Sequence, residues 1–174
     1  MPSIDDLTAA IRNIPDFPEP GIQFKDITPI LANPELFQAA VEQIIAPYQP
    51  GDIDQIVGID ARGFIFGAAA AMRLNTGFTP IRKKGKLPFD THEESYDLEY
   101  GSNTIAVHTD AIHPGSKVLL VDDLLATGGT ALAALKLLNR LEANLLEAVF
   151  LIELTFLNGR QKLQPSSVRS VIAY

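Results

Sequence analysis

Residues 117–132 read KVLLVDDLLATGGTAL. Val118, Leu119, Leu120 and Val121 form a short unbroken apolar run, the pattern of a parallel strand covered on both faces. Two adjacent carboxylates, Asp122 and Asp123, appear where that strand should end, which is the edge at which open α/β sheets bind their ligands. Thr127, Gly128, Gly129 and Thr130 then supply hydroxyls and backbone N–H groups at a helix start, whose dipole and unpaired donors favour a phosphate. Ionised carboxylates only accept hydrogen bonds, and the vicinal hydroxyls of a ribose donate them, so the two aspartates suit the other end of a sugar phosphate. An ordinary strand-to-helix joint, with Thr130 as a cap, uses the same residue types. The order of the residues favours the site. No Gly-Lys-Ser/Thr follows the glycines and no G-x-G-x-x-G occurs, so neither a P-loop nor a dinucleotide fingerprint is present.

Working outward, strand and helix patterns alternate. Ser3, Asp5 and Asp6 precede Leu7, Ala10 and Ile11 at helical spacing, predicting a capped first helix that ends near Arg12. Pro15, Pro18, Pro20 and Gly21 predict an ordered loop over residues 13–29, laid across the domain. Asn33 and Pro34 open a helix whose apolar positions run from Leu36 to Ile45, with Pro47 as its stop. Ile56 to Ile59, Phe78 to Ile81, Thr104 to His108 and Ala148 to Ile152 read as strands, residues 63–74 as a helix of small residues, and the stretch after Gly129 as a helix packed broadly on the sheet. The expected fold class is α/β: a mostly parallel sheet with helices on both faces and right-handed crossovers. At 174 residues one domain is expected over the whole chain.

Composition narrows the function classes. With 47% hydrophobic and 20% charged residues the chain reads as globular, and a formal charge of −7 argues against non-specific nucleic-acid or anionic-membrane binding. There is no cysteine, which removes disulfides, thiolate metal sites and cysteine nucleophiles together. No apolar stretch approaches the roughly 20 residues that span a bilayer, and the start MPSIDDL is acidic where a signal peptide is basic, so a cytoplasmic location is expected.

Three further clusters carry charge at ordered places. Asp60, Ala61, Arg62 and Gly63 follow the strand ending at Ile59, in the topological position that Asp122 and Asp123 hold on theirs. Arg82, Lys83, Lys84 and Lys86 form a dense basic group in an acidic chain; a solvated charge run is the alternative reading. Residues 85–95 combine glycine, proline and charge with little apolar periodicity, as a mobile excursion does.

At residues 117–132 the chain resembles the type I phosphoribosyltransferases, whose signature for phosphoribosyl pyrophosphate (PRPP) is an apolar strand, two acidic residues and a Thr-Gly-Gly-Thr-like turn. Residues 14–29 (IPDFPEPGIQFKDITP), 58–67 (GIDARGFIFG), 82–88 (RKKGKLP) and 95–101 (SYDLEYG) are similar to the adenine-using branch of that family, extending the resemblance from about residue 7 to the C-terminus. The resemblance implies transfer of the 5-phosphoribosyl group from PRPP to adenine, giving AMP and pyrophosphate, through an oxocarbenium-like transition state. It implies 5'-phosphate binding by Ala126, Thr127, Gly128, Gly129 and Thr130, and ribose binding by Asp122 and Asp123. Pyrophosphate would be held by Asp60, Ala61, Arg62 and Lys86 with Arg82 from the partner subunit of a homodimer, and a non-proline cis peptide is implied at the position matching Asp60–Ala61. Adenine would meet Gln23, Phe24, Lys25 and Leu124 under a small N-terminal hood, residues 13–29, while residues 83–100 form a mobile lid. Similar enzymes usually carry Arg where this chain has Lys25, and Lys lacks the planar fork for a bidentate contact. Glu99 is the implied acid/base. Mg2+ is expected to travel on PRPP with no dedicated protein cage. A non-catalytic sensor of PRPP would need an added nucleic-acid-binding segment or basic face, and a preference for another purine remains the alternative within the enzyme class.

Overall fold

The computed structural model describes residues 1–97 and 102–174, so Glu99 lies outside the described residues. The chain forms two compact units, residues 1–46 and 47–174.

In the first unit, helix α1 (Ile4–Ala10) is closed by a capping box in which the Ser3 hydroxyl accepts from the Asp6 N–H and the Asp6 carboxylate accepts from the Ser3 N–H. Strands β1 (Arg12–Pro15) and β2 (Gln23–Asp26) pair antiparallel, with Ile14 opposite Phe24. Helices α2 (Thr28–Ala32) and α3 (Pro34–Ile45) complete the unit, and the Asn33 side chain caps α3 by accepting from the N–H groups of Glu35 and Leu36. The loop expected over residues 13–29 is thus a hairpin followed by a helix start. Pro18, Pro20 and Gly21 are confined to its turn, where no ladder donor is required, and the ladder is closed by Phe17 N–H donating to Ile22 O at 3.3 Å. Lys25 Nζ donates to Asn13 Oδ1 at 2.6 Å across this hairpin, and burial pulls its ammonium pKa down.

The second unit is built on a seven-stranded sheet containing β3 (Gln55–Ile59), β4 (Gly77–Lys83), β5 (Thr91–Asp97), β6 (Ser102–His108), β7 (Lys117–Leu125), β8 (Asn144–Glu153) and β9 (Val168–Ala173). Its order is β5-β6-β4-β3-β7-β8-β9. The run from β4 to β9 is parallel, and β6 and β5 are added antiparallel at one edge. Helix α4 (Arg62–Leu74) links β3 to β4 and helix α5 (Gly129–Arg140) links β7 to β8. Those crossovers run in opposite directions along the sheet, so right-handed connections put the two helices on opposite faces. Val118, Leu119, Leu120 and Val121 are fully buried, as a strand covered on both sides requires. Short helix α6 (Gly159–Lys162) precedes β9.

Two strands of the seven-stranded sheet are absent from the sequence expectations, as are β1 and β2 of the hairpin. Strand β5 lies within the stretch read as an irregular excursion; its residues THEESYD carry no apolar alternation, and what holds it is antiparallel pairing to β6 from Thr91↔His108 to Asp97↔Ser102. Strand β9 is a short edge strand whose Arg169 and Ser170 find partners on β8 rather than in an apolar core.

Candidate active site

The strand order makes β3 the point from which the chain leaves in two directions, toward β4 on one side and β7 on the other. A crevice opens at such a switch point, outside the carboxyl ends of the strands. Pairing of β3 to β7 stops at Gly58↔Val121, whereas β7 continues beside β8 through Leu125↔Glu153. Asp122 and Asp123 therefore stand on the part of β7 that outruns β3, with one strand edge open. A cavity of about 520 Å³ occupies that place.

Residues 60–62, 122–124 and 126–130 all line it. Asp60 and Ala61 turn the chain out of β3 through a cis peptide bond, in agreement with the resemblance, and Arg62 begins α4. Gly63 backs directly onto β7: a Cβ there would meet Asp122 Oδ1 at 2.8 Å and Val121 O at 2.9 Å, so the close approach of helix and strand requires glycine. At the other wall Gly128 adopts φ +80° as the N-cap of α5, and no side chain caps this helix, which leaves its first-turn N–H groups directed at solvent or ligand.

Both acids are shifted upward, Asp122 the more. Asp123 is 5% exposed; its N–H donates to Asp122 Oδ1 at 2.9 Å, and its Oδ2 lies 2.7 Å from Arg62 Nε. Burial raises the Asp122 carboxyl well above the usual carboxylate range, and the neighbouring Asp123 charge pushes in the same direction. Asp123 is also raised by burial, with the Arg62 guanidinium opposing the shift. Two carboxylates and a cation in one crevice form a site suited to hydroxyl donors and anionic groups.

Other expected site residues fall elsewhere. Arg82 Nε donates to Asp60 Oδ2 at 3.2 Å and its Nη1 donates to Lys86 O at 3.2 Å, so within its own chain it braces the Asp60 turn. Neither Arg82 nor Lys86 is among the residues that line the cavity. Lys83 lines it instead, and strand alternation explains why a basic run does not act as a block: successive side chains leave opposite faces. Tyr96 and Asn103, directly opposite one another on β5 and β6, also line the cavity. Tyr96 lay in a segment that carried the resemblance; Asn103 had no sequence signal. Gln23, Phe24 and Lys25 belong to the first unit, where the Phe24 ring packs edge-on against Phe17 with centroids 5.1 Å apart. Among the described residues no cluster of three or more His, Cys, Asp or Glu has the arrangement to hold a metal, and no helix is long and apolar enough to cross a membrane.

The family model for the phosphoribosyl transferase domain matches residues 26–171. The chain belongs to this family. A curated adenine phosphoribosyltransferase of Acidothermus cellulolyticus is 56% identical over 99% of both chains. The solved adenine phosphoribosyltransferase of Rhodothermus marinus is 52% identical, covers 98% of each chain and superposes with a TM-score of 0.92. That of Saccharomyces cerevisiae, solved with an imino-altritol bisphosphate and adenine, is 44% identical over 97% of each chain, also with a TM-score of 0.92. Within the family, the chain falls in the adenine phosphoribosyltransferase branch.

Proposed function

We propose that the chain transfers the 5-phosphoribosyl group of PRPP to adenine, forming AMP and releasing pyrophosphate, a purine-salvage reaction carried out by a homodimer in the cytoplasm. The observation that carries this reading is the cavity at the shared end of β3 and β7, where an uncapped helix start and a pair of adjacent carboxylates flank one space. The yeast relative's complex with a bisphosphate and adenine agrees with it.

In this reading Ala126, Thr127, Gly128, Gly129 and Thr130 bind the 5'-phosphate through backbone donors and hydroxyls. Asp122 and Asp123 accept from the ribose hydroxyls. Asp60, Ala61 and Arg62 with Lys86, and Arg82 from the partner subunit, hold pyrophosphate. Gln23, Phe24, Lys25 and Leu124 bind adenine, residues 13–29 forming the hood and residues 83–100 the lid; for the first three of these contacts the support is the sequence resemblance. Arg62 pairs with Asp123, and pyrophosphate would compete for that cation, leaving Asp123 to accept from the sugar hydroxyls.

The chemistry is a displacement at the anomeric carbon. The bond from C1 to the pyrophosphate oxygen breaks with its electron pair leaving on pyrophosphate, the purine nitrogen closes on C1, and Glu99 handles the ring proton. Fixed positive charge aimed at the departing oxygens stabilises a transition state with oxocarbenium character, and exclusion of water protects the activated C1. Mg2+ carried on PRPP would meet hard oxygen donors at Asp122 and Asp123, and its charge would neutralise that of pyrophosphate.

A panel of adenine, hypoxanthine, guanine and xanthine, each with PRPP and Mg2+, tests the proposal. Adenine should yield AMP and pyrophosphate in equal amounts. Turnover of another base in preference to adenine, or none at all, overturns it.

A further inference from the structure

The phosphate cradle has a second wall that none of these roles uses. A Cβ on Gly128 would meet Gly159 O at 2.6 Å and Gly159 Cα at 3.1 Å. In the reverse direction, a Cβ on Gly159 would run into Ala126 O and approach Gly128 N at 2.9 Å. Two stretches of backbone, distant in sequence, thus touch with no side chain between them, and one of the two is the cradle.

The next residue fixes Gly159. Arg160 Nε donates to Glu153 Oε1 at 3.0 Å, its Nη2 donates to Glu153 Oε2 and to Ser170 Oγ at 2.9 Å, and its Nη1 donates to Val168 O. Ser170 Oγ in turn donates to Glu153 Oε2. Glu153 is 5% exposed and ends β8 in register with Leu125, the residue immediately before the cradle; Leu154 N–H donates to Leu125 O at 2.9 Å. Hydrogen bonding to Arg160 holds the Glu153 carboxyl below its usual range, so the pair stays ionised. An ion pair whose arginine stays partly exposed adds little stability, because solvent screens its attraction. A forked guanidinium on a buried carboxylate does, however, fix geometry closely.

We propose that Glu153, Arg160 and Gly159 form a positioning unit for the 5'-phosphate: the ion pair locks Gly159 against residues 126–128, and that contact holds the cradle's N–H groups on the phosphate. None of the three touches substrate. The proposal rests on the reading of residues 126–130 as the 5'-phosphate site.

Two variants test it, by calorimetric titration of the intact protein with ribose 5-phosphate, AMP and pyrophosphate, and by steady-state kinetics. Gly159→Ala should weaken ribose 5-phosphate and AMP about tenfold or more and raise KM for PRPP by a similar factor, since an ångström-scale misplacement of a binding group has effects of that size. Pyrophosphate affinity and KM for adenine should stay within about twofold of wild type, the mark of a loss confined to one subsite. The paired change Glu153→Gln with Arg160→Met removes both charges at nearly constant volume and should show the same selective loss; Arg160→Lys, which keeps charge without the fork, should fall between. If Gly159→Ala does not fold, the paired variant decides. Wild-type affinity for ribose 5-phosphate in the folded variants, or equal loss for ribose 5-phosphate and pyrophosphate, overturns the positioning role. Failure of the wild-type protein to bind ribose 5-phosphate would instead sink the cradle reading itself.

Discussion

Arg62 Nε lies 2.7 Å from Asp123 Oδ2, joining the first residue of α4 to the carboxyl end of β7 across the mouth of the cavity. Both residues were read from the sequence as ligand-binding groups, each for a different part of PRPP. Each group meets the other, which limits the cost of burying the Asp123 charge. In the proposed function, substrate binding would be an exchange of partners, with PRPP supplying a phosphate to the cation and hydroxyls to the acid.

Stability should respond to Asp122 and Arg62 with opposite signs. Burial raises both carboxyls, so between the ordinary Asp pKa and the raised values the folded chain holds more protons than the unfolded chain, and stability falls as pH rises through that window. Asp122→Asn keeps an oxygen for the Asp123 N–H and removes the unfavourable charge. We predict a higher melting temperature at pH 7, by roughly 2 to 4 °C per kcal/mol relieved, with the gain absent near pH ~4, and turnover reduced. Arg62→Met strips Asp123 of its cation, so it should lower the melting temperature at pH 7 more than at pH ~4. Scanning calorimetry at the two pH values checks both; shifts independent of pH contradict the assignment.

Gly63→Ala should damage the site through packing. Its Cβ would stand 2.9 Å from Val121 O and 3.2 Å from Asp122 Cα, both backbone atoms that cannot swing aside as a side-chain end can. We expect about 1 to 3 kcal/mol of destabilisation, as for other overpacked contacts. KM for PRPP should rise with it, because Asp122 must move. An unchanged KM would show that α4 gives way instead.

Arg82 has a partner within its own chain, Asp60, yet the sequence resemblance assigns it to the neighbouring subunit's site. Mixing chains separates the two readings. Arg82→Ala and Asp122→Asn should each be poorly active alone. Refolded or co-expressed together, they should recover about a quarter of wild-type activity by random pairing if Arg82 acts in trans, since a mixed dimer of C2 symmetry then has one intact site. No recovery in verified mixed dimers would make its role internal to one chain.

Glu99→Gln should lower kcat by about 10²- to 10⁴-fold, with smaller changes in substrate binding, the expected size for loss of a general acid/base. Single-turnover measurement of AMP formation separates chemistry from product release. Near-normal turnover would remove Glu99 from the mechanism.

The frame of the site was legible because it is local. Val118 to Val121 announce a doubly covered strand by composition, the glycines and threonines of residues 127–130 announce an uncapped helix start, and Asp60 to Gly63 repeat that strand-to-helix position one crossover earlier. Strand β5 was not legible, since pairing to β6 rather than apolar alternation makes it a strand. The basic run of residues 82–86 showed that cations were present and left open which would face the cavity; the face of β4 decided for Lys83.

By itself the sequence determined the α/β alternation and the chemistry collected at the strand ends, because burial periodicity and turn propensity act over a few residues. Only the tertiary structure decided that Arg62 meets Asp123, that β7 outruns β3 to leave its acids open, and that Gly159 abuts Gly128 with Glu153 and Arg160 behind it. Each of those depends on where a distant segment comes to rest, and such contacts between polar groups or bare backbone leave no period in the chain.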